Sequence, residues 1–145
     1  MRIDLIKLAP KGYQAVAGLD QYVRTTLDPD LLEMIKLRAS MLNGCAYCVD
    51  MHSRNALEAG ESTRKLFAVA AWREAPFFDA KERAALALPD AVTKLGEHGV
   101  PDDVWDEAIK EWDEKGVADL VVAISLVNLW NRLAVSTRID LPTHV

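Results

Sequence analysis

The segment from Val117 to Leu133 is apolar around most of a helical circumference, and no other stretch constrains the fold of this chain as strongly. A helix of that kind cannot face water on all sides, so other elements or a second subunit must enclose it. A domain of 145 residues has limited interior, which favours an interface or shared core over a purely internal position. The polar residues on this helix, Asn128, Asn131 and Arg132, then require partners, because buried polar groups are costly without hydrogen bonds.

The remainder also reads as helix, with few strand-like alternations and no repeats. From Gly12 to Thr25, Val16, Leu19, Tyr22 and Val23 recur at helical spacing. Asp28-Pro29 supplies an N-cap followed by proline at the first helical position, opening a helix through Leu31, Leu32, Met34, Ile35, Leu37 and Met41. Asn43-Gly44 ends it, since both residues tolerate left-handed backbone angles. A second helix is predicted from Cys45 to Ala59, with Gly60 as its stop. Ser62 opens a shorter one carrying Leu66, Phe67, Val69, Ala70 and Trp72, ended before Pro76.

Asp79 with Glu82 forms a capping box for a helix from Ala80 towards Leu95, which Pro89 should kink or split. Gly99-Val100-Pro101-Asp102 restarts the chain into Val104, Trp105, Ala108, Ile109 and Trp112, and Gly116 is expected to end that element. The architecture predicted is all-α, an orthogonal bundle of about six to seven helices. It forms a single domain, residues 1–145, that oligomerises through apolar helices.

Charge and length narrow the possible roles. A net charge of −5 and the lack of a basic cluster argue against nucleic acid and against anionic membrane surfaces. The start, Met1-Arg2-Ile3-Asp4-Leu5, lacks a signal-peptide layout. The apolar run Leu120 to Val127, interrupted by Ser125, is too short to span a bilayer. A cytoplasmic location is the expectation. In that compartment a C-x-x-C pair is more often catalytic, redox-sensing or metal-binding than a structural staple.

The chain's two cysteines, Cys45 and Cys48, make such a pair, and His52 follows four residues later. Residues three apart on a helix stand ~5–6 Å apart between Cβ atoms, within reach of a disulfide. The free N–H groups and positive dipole end of a helix start favour thiolate over thiol, which by position favours Cys45 as the more acidic sulfur. His52 shares a face with Cys48 and leans back towards it, so its imidazole can accept and return the thiol proton. If the helices flanking Asn43-Gly44 return antiparallel, Glu33 lies ~15 Å below the turn and His52 ~12 Å below it. They then stand roughly level, with Glu33 able to orient the ring.

The run Glu33-x11-Cys45-x2-Cys48-x3-His52-x3-Ala56-x3-Gly60 resembles the alkylhydroperoxidase D (AhpD) core of the carboxymuconolactone decarboxylase superfamily. Pro10, Tyr13, Tyr22-Val23, the stretch Glu82 to Leu88 and Asn128-x-Trp130-Asn131-Arg132-Leu133 resemble it as well. The resemblance implies a helical subunit in a homo-oligomer (dimer, trimer or hexamer) with peroxide- or disulfide-reducing activity and no cofactor or metal. Cys48 would attack the hydroperoxide and become a sulfenic acid. Cys45 would donate a proton and close the disulfide, with Glu33 and His52 as proton relay. A dithiol donor or a peroxiredoxin would be the redox partner.

The chain departs from relatives in two places. Tyr47 stands between the cysteines where one form of the family has histidine, and Pro89-Asp90 stands where many have a glutamate that Asp90 would replace. Two other readings remain open: an adaptor that exchanges disulfides without reducing peroxide, and a redox-sensing or zinc-binding module using Cys45, Cys48, His52 and Glu33. Glu33 can also pair with Lys36 on a solvated face. Tyr47 and Asp50 read as rim residues, and Trp72, Trp105, Trp112 and Trp130 as core or interface anchors. Arg54 and Arg132 read as salt-bridge partners, and His98 and His144 as exposed.

Overall fold

A computed structural model describes residues 1–142, so the expectation for His144 lies outside the described residues. Among the described residues there are eight α-helices: α1 (Leu5–Leu8), α2 (Pro10–Thr26), α3 (Pro29–Asn43), α4 (Ala46–Glu58), α5 (Thr63–Ala68), α6 (Ala80–Thr93), α7 (Asp102–Glu111) and α8 (Glu114–Thr137). A single 3-10 turn, Val69–Ala71, continues α5. The all-α reading holds. The helix count exceeds the predicted six to seven, because the brief α1 has too few residues to show periodicity.

Local chemistry sets most boundaries as expected. Asp28 caps α3 by accepting from the amides of Asp30 and Leu31, with Pro29 at the first position. Asp79 and Glu82 complete the capping box of α6 in both directions. Gly44 closes α3 in the left-handed region at φ 65°, where a Cβ would be strained. Pro89 neither splits nor ends α6, which runs on to Thr93; the proline is buried among Leu86, Leu88 and the helix's neighbours, and that packing outweighs its missing N–H. Gly116 lies inside α8 rather than at the end of α7. The side chain of Asp113 accepts from the Gly116 amide and starts the new helix there.

The centre of the molecule is α3, not α8. Nine of its residues are buried, Leu31 to Leu37 without a break together with Ala39 and Ser40, and it packs against α4, α6 and α8. Each fully buried leucine or isoleucine there contributes about 1.5–3 kcal/mol. α8 buries Val117, Leu120, Ala123, Ile124, Leu126 and Val127 against α2, α3 and α6, while Ser125, Leu129 and Val135 face outward. By length and composition α8 could cross a membrane, unlike the shorter run read from sequence, but here it is a packed helix of the bundle.

The polar residues of α8 find their partners inside the bundle. Asn43 donates to Oδ1 of both Asn128 (2.9 Å) and Asn131 (2.8 Å). Asn128 donates to Thr93 Oγ1, Asn131 donates to Ser40 Oγ, and Arg132 donates back to Asn128. Of the four tryptophans, Trp72 is buried and Trp112 and Trp130 are half-buried, whereas Trp105 is exposed. Phe67 is likewise exposed, on the outer side of α5.

Candidate active site

The turn between α3 and α4 builds the site. The amides of Gly44 and Cys45 both reach back to α3, Cys45 to the Ser40 carbonyl at 3.1 Å. Cys45 is the N-cap of α4, in extended backbone geometry, and its sulfur accepts from the Cys48 amide at 3.3 Å. Cys48 follows in the first turn. The two sulfurs are joined as a disulfide with Cα atoms 5.3 Å apart, so the structure is the oxidised form of the pair. Both cysteines are buried.

One turn on, His52 is buried, and its Nδ1 lies 2.8 Å from Glu33 Oε2 on α3. The antiparallel return of α4 along α3 thus brings the two side chains level. Glu33 does not pair with Lys36 on a solvated face; it is buried and held by His52, with Asn55 Nδ2 3.5 Å from the same oxygen. Burial alone raises the Glu33 pKa, but the His52 hydrogen bond and the charges of His52, Lys36 and Arg24 outweigh it. Its carboxyl therefore lies below the ordinary value. With Nδ1 committed to the carboxylate, Nε2 is the ring nitrogen left for proton exchange; it makes no hydrogen bond to the described residues.

Cys48 and His52 line one cleft of about 610 Å³, together with Tyr13, Asp20 and Arg24 of α2, Lys36 of α3, Tyr47 and Met51 of α4 and Val127 and Trp130 of α8. Cys45 is not among the cleft residues. The walls are mostly apolar, and Tyr13 meets Trp130 edge to face with ring centres 5.1 Å apart. Ile3, Leu5 and Ile6 line the cleft as well.

Asp20, Arg24 and Lys36 were not singled out from the sequence as a set. Lys36 is fully buried with its Nζ 3.0 Å from Asp20 Oδ1, and Asp20 Oδ2 accepts from Arg24 Nε at 2.6 Å. The spacing of Asp20 and Arg24, four apart on one helix face, was the available signal. Asp90 stands elsewhere. It accepts from Arg38 Nε (2.6 Å), Trp72 Nε1 (3.3 Å) and Arg73 Nη2 (3.1 Å), so it ties α6 to α3 and to the segment after α5 rather than serving the thiols. Arg54 pairs with Asp50 on the surface and His98 is exposed, both as expected. Among the described residues, no group of three or more histidine, cysteine, aspartate or glutamate side chains is arranged to hold a metal ion.

The carboxymuconolactone decarboxylase family profile matches residues 9–91. YdfG of Bacillus subtilis (strain 168), an uncharacterized protein, is 32% identical over 136 residues, which span 93% of this chain and 92% of that one. A crystal structure of an Agrobacterium tumefaciens protein of unknown function, for which a role in antioxidant defence as AhpD has been suggested, is 39% identical. It superposes with a TM-score of 0.94 over 99% of both chains. The debrominase Bmp8 superposes with a TM-score of 0.83 over 92% of this chain and 73% of its own, at 22% identity, a likeness of fold alone. A profile spanning more than half the sequence, and a relative matched over nearly its full length, place the chain in the carboxymuconolactone decarboxylase family, with an AhpD-like helical fold.

Proposed function

We propose that this protein is a thiol-dependent reductase of organic hydroperoxides, working in the cytoplasm as a homo-oligomer with a dithiol electron donor. The observation that carries this reading is the shared cleft. Cys48 and His52 open into one largely apolar space while Glu33 holds the imidazole from behind. A cleft of that lining suits an alkyl or aryl hydroperoxide better than hydrogen peroxide.

In the reduced protein His52 Nε2 takes the Cys48 proton. The thiolate attacks the distal peroxide oxygen, the O–O bond breaks, and the alkoxide takes the proton back from His52 and leaves as an alcohol. Cys48 is then a sulfenic acid. The Cys45 sulfur displaces its oxygen as water and closes the disulfide. An external dithiol restores both thiols, with its own sulfurs becoming a disulfide.

The two cysteines divide the work by position. Cys48 faces the cleft, so it is the sulfur an outside molecule reaches, whether peroxide or dithiol. Cys45 sits at the helix N-terminus with an amide aimed at its sulfur, which makes it the better leaving thiolate when the disulfide is reopened. The acidity argument for Cys45 and the nucleophile role of Cys48 are therefore compatible.

The test is to titrate the reduced protein with cumene hydroperoxide and follow sulfenic acid and disulfide by mass. One disulfide formed per hydroperoxide consumed, lost in Cys48→Ser, supports the reading. A Cys48 that stays reduced in excess hydroperoxide while the fold is intact overturns it. If the oxidised protein is at the same time reduced rapidly by a small dithiol, the activity is disulfide exchange, for which the cleft-facing Cys48 is equally suited.

A further inference from the structure

The buried Glu33, Arg24 and the half-buried Asp20 connect His52 to a lysine that the proposed chemistry leaves unused. Lys36 Nζ meets Asp20 Oδ1 at 3.0 Å, Asp20 Oδ2 meets Arg24 Nε at 2.6 Å, and Arg24 Nη1 approaches Glu33 Oε1 at 3.9 Å. Glu33 Oε2 then meets His52 Nδ1 at 2.8 Å. The chain crosses from α3 to α2, back to α3 and on to α4. Lys36 is 1% exposed, and a lysine placed so deeply is costly to keep charged without a purpose or a close partner. An apolar residue at position 36 would fill the same place on α3 without needing Asp20.

The charges balance in the state that matters. Lys36 and Arg24 offset Asp20 and Glu33, and a Cys48 thiolate is offset by the His52 imidazolium that received its proton. Removing either cation leaves the site one negative charge in excess at the moment a thiolate must form, which disfavours it.

We propose that Arg24 and Lys36, joined through Asp20, are positioning residues for the Glu33–His52 pair: they keep the Glu33 carboxylate in place and neutralised, so that proton transfer from Cys48 to His52 creates no uncompensated charge. The proposal rests on the reading of Cys48 and His52 given above. The ordering of acidities agrees with it. Burial raises Asp20, but its bonds to Arg24 and Lys36 outweigh that and hold it below its ordinary value, while the hydrogen bond to Asp20 raises Arg24.

The other ionisable groups lining the cleft are Tyr13 of α2, Tyr47 of α4, and Asp4, Asp140 and the Met1 amino group, the last two bonded to each other at 2.6 Å. α8 contributes none to the cleft lining. All of these stay unchanged in the test, so a shift in the variants belongs to the network.

The experiment measures the pH dependence of iodoacetamide alkylation of Cys48 in the reduced protein, with the modified peptide quantified by mass. Arg24 is half-exposed, so Arg24→Gln should leave the fold intact. Arg24→Gln is expected to move the Cys48 titration midpoint upward and lower the alkylation rate at neutral pH by about 3–10-fold, with Arg24→Lys restoring most of it. Lys36→Met, which removes the buried cation and leaves Asp20 and Glu33 to Arg24 alone, should shift the midpoint in the same direction.

A role confined to stability would lower the melting temperature of these variants and leave the midpoint where it is in the parent. That result overturns the proposal. If Lys36→Met does not fold, Arg24→Gln decides alone. The two readings fail separately: an inert Cys48 towards hydroperoxide with a shifted midpoint in Arg24→Gln removes the peroxidase and keeps the network. A reactive Cys48 with an unshifted midpoint does the reverse.

Discussion

Glu33 and His52, nineteen positions apart, hold each other at 2.8 Å across the α3–α4 turn, and neither side chain is open to bulk water. The carboxylate fixes which ring nitrogen carries the proton at rest, and so leaves the other free to exchange one with a sulfur.

Glu33→Gln keeps the shape of that contact and removes its charge. The rate of Cys48 oxidation by hydroperoxide should fall about 10–100-fold, measured by stopped-flow loss of thiol, with the helical circular dichroism signal unchanged.

The same substitution changes acid stability, and the sign follows from linkage. The Glu33 carboxyl is held below its ordinary value of 4.5, so its contribution is present above that pH and is lost as pH falls through the depressed value. Thermal melts from neutrality to pH ~3 should show the parent losing stability more steeply below about 4.5 than Glu33→Gln, for which that dependence is missing. Equal slopes would mean that the carboxylate is not held as described.

The cysteines should separate cleanly. Cys45→Ser should accumulate a Cys48 sulfenic acid that dimedone captures, because no partner sulfur displaces the oxygen. Cys48→Ser should give no adduct at Cys45 at the same peroxide concentration. An adduct at Cys45 instead would reverse the roles.

Asp90→Ala removes the acceptor of Arg38, Trp72 and Arg73 together. It should lower unfolding free energy by about 1–3 kcal/mol in urea melts and leave the Cys48 oxidation rate within twofold of the parent. A large kinetic loss in a folded variant would assign Asp90 to the reaction after all.

Asn131→Ala strips partners from Asn43 and from Ser40, both inside the bundle. A loss of about 2–3 kcal/mol is expected by chemical denaturation, larger than for the exposed Arg54→Ala, which should change little.

The sequence made legible those parts of the fold whose causes lie within a few residues. Asp28-Pro29, Asp79 with Glu82 and Asn43-Gly44 each satisfy backbone groups next to them, and each ends or opens a helix where expected. The Glu33–His52 meeting was also legible, because a tight antiparallel return fixes heights on both arms. Pro89 and Gly116 misled for different reasons. Packing from other parts of the chain buries Pro89 inside its helix, whereas at Gly116 a local signal was passed over, the Asp113 side chain three residues earlier that caps the new helix. The network of Asp20, Arg24 and Lys36 was beyond reach for a related reason. Lys36 has the sequence appearance of any surface lysine, and neither its burial nor its partner Asp20 on α2 leaves a mark in the residues around it.

Asn43, the last residue of α3, is fastened by two hydrogen bonds to α8, just before the loop that presents the sulfurs. A hairpin clamped from the far side has little freedom to shift when its disulfide opens or closes. The thiol pair would then cycle on a fixed platform, returning after each turnover to the same alignment with the imidazole at no conformational expense.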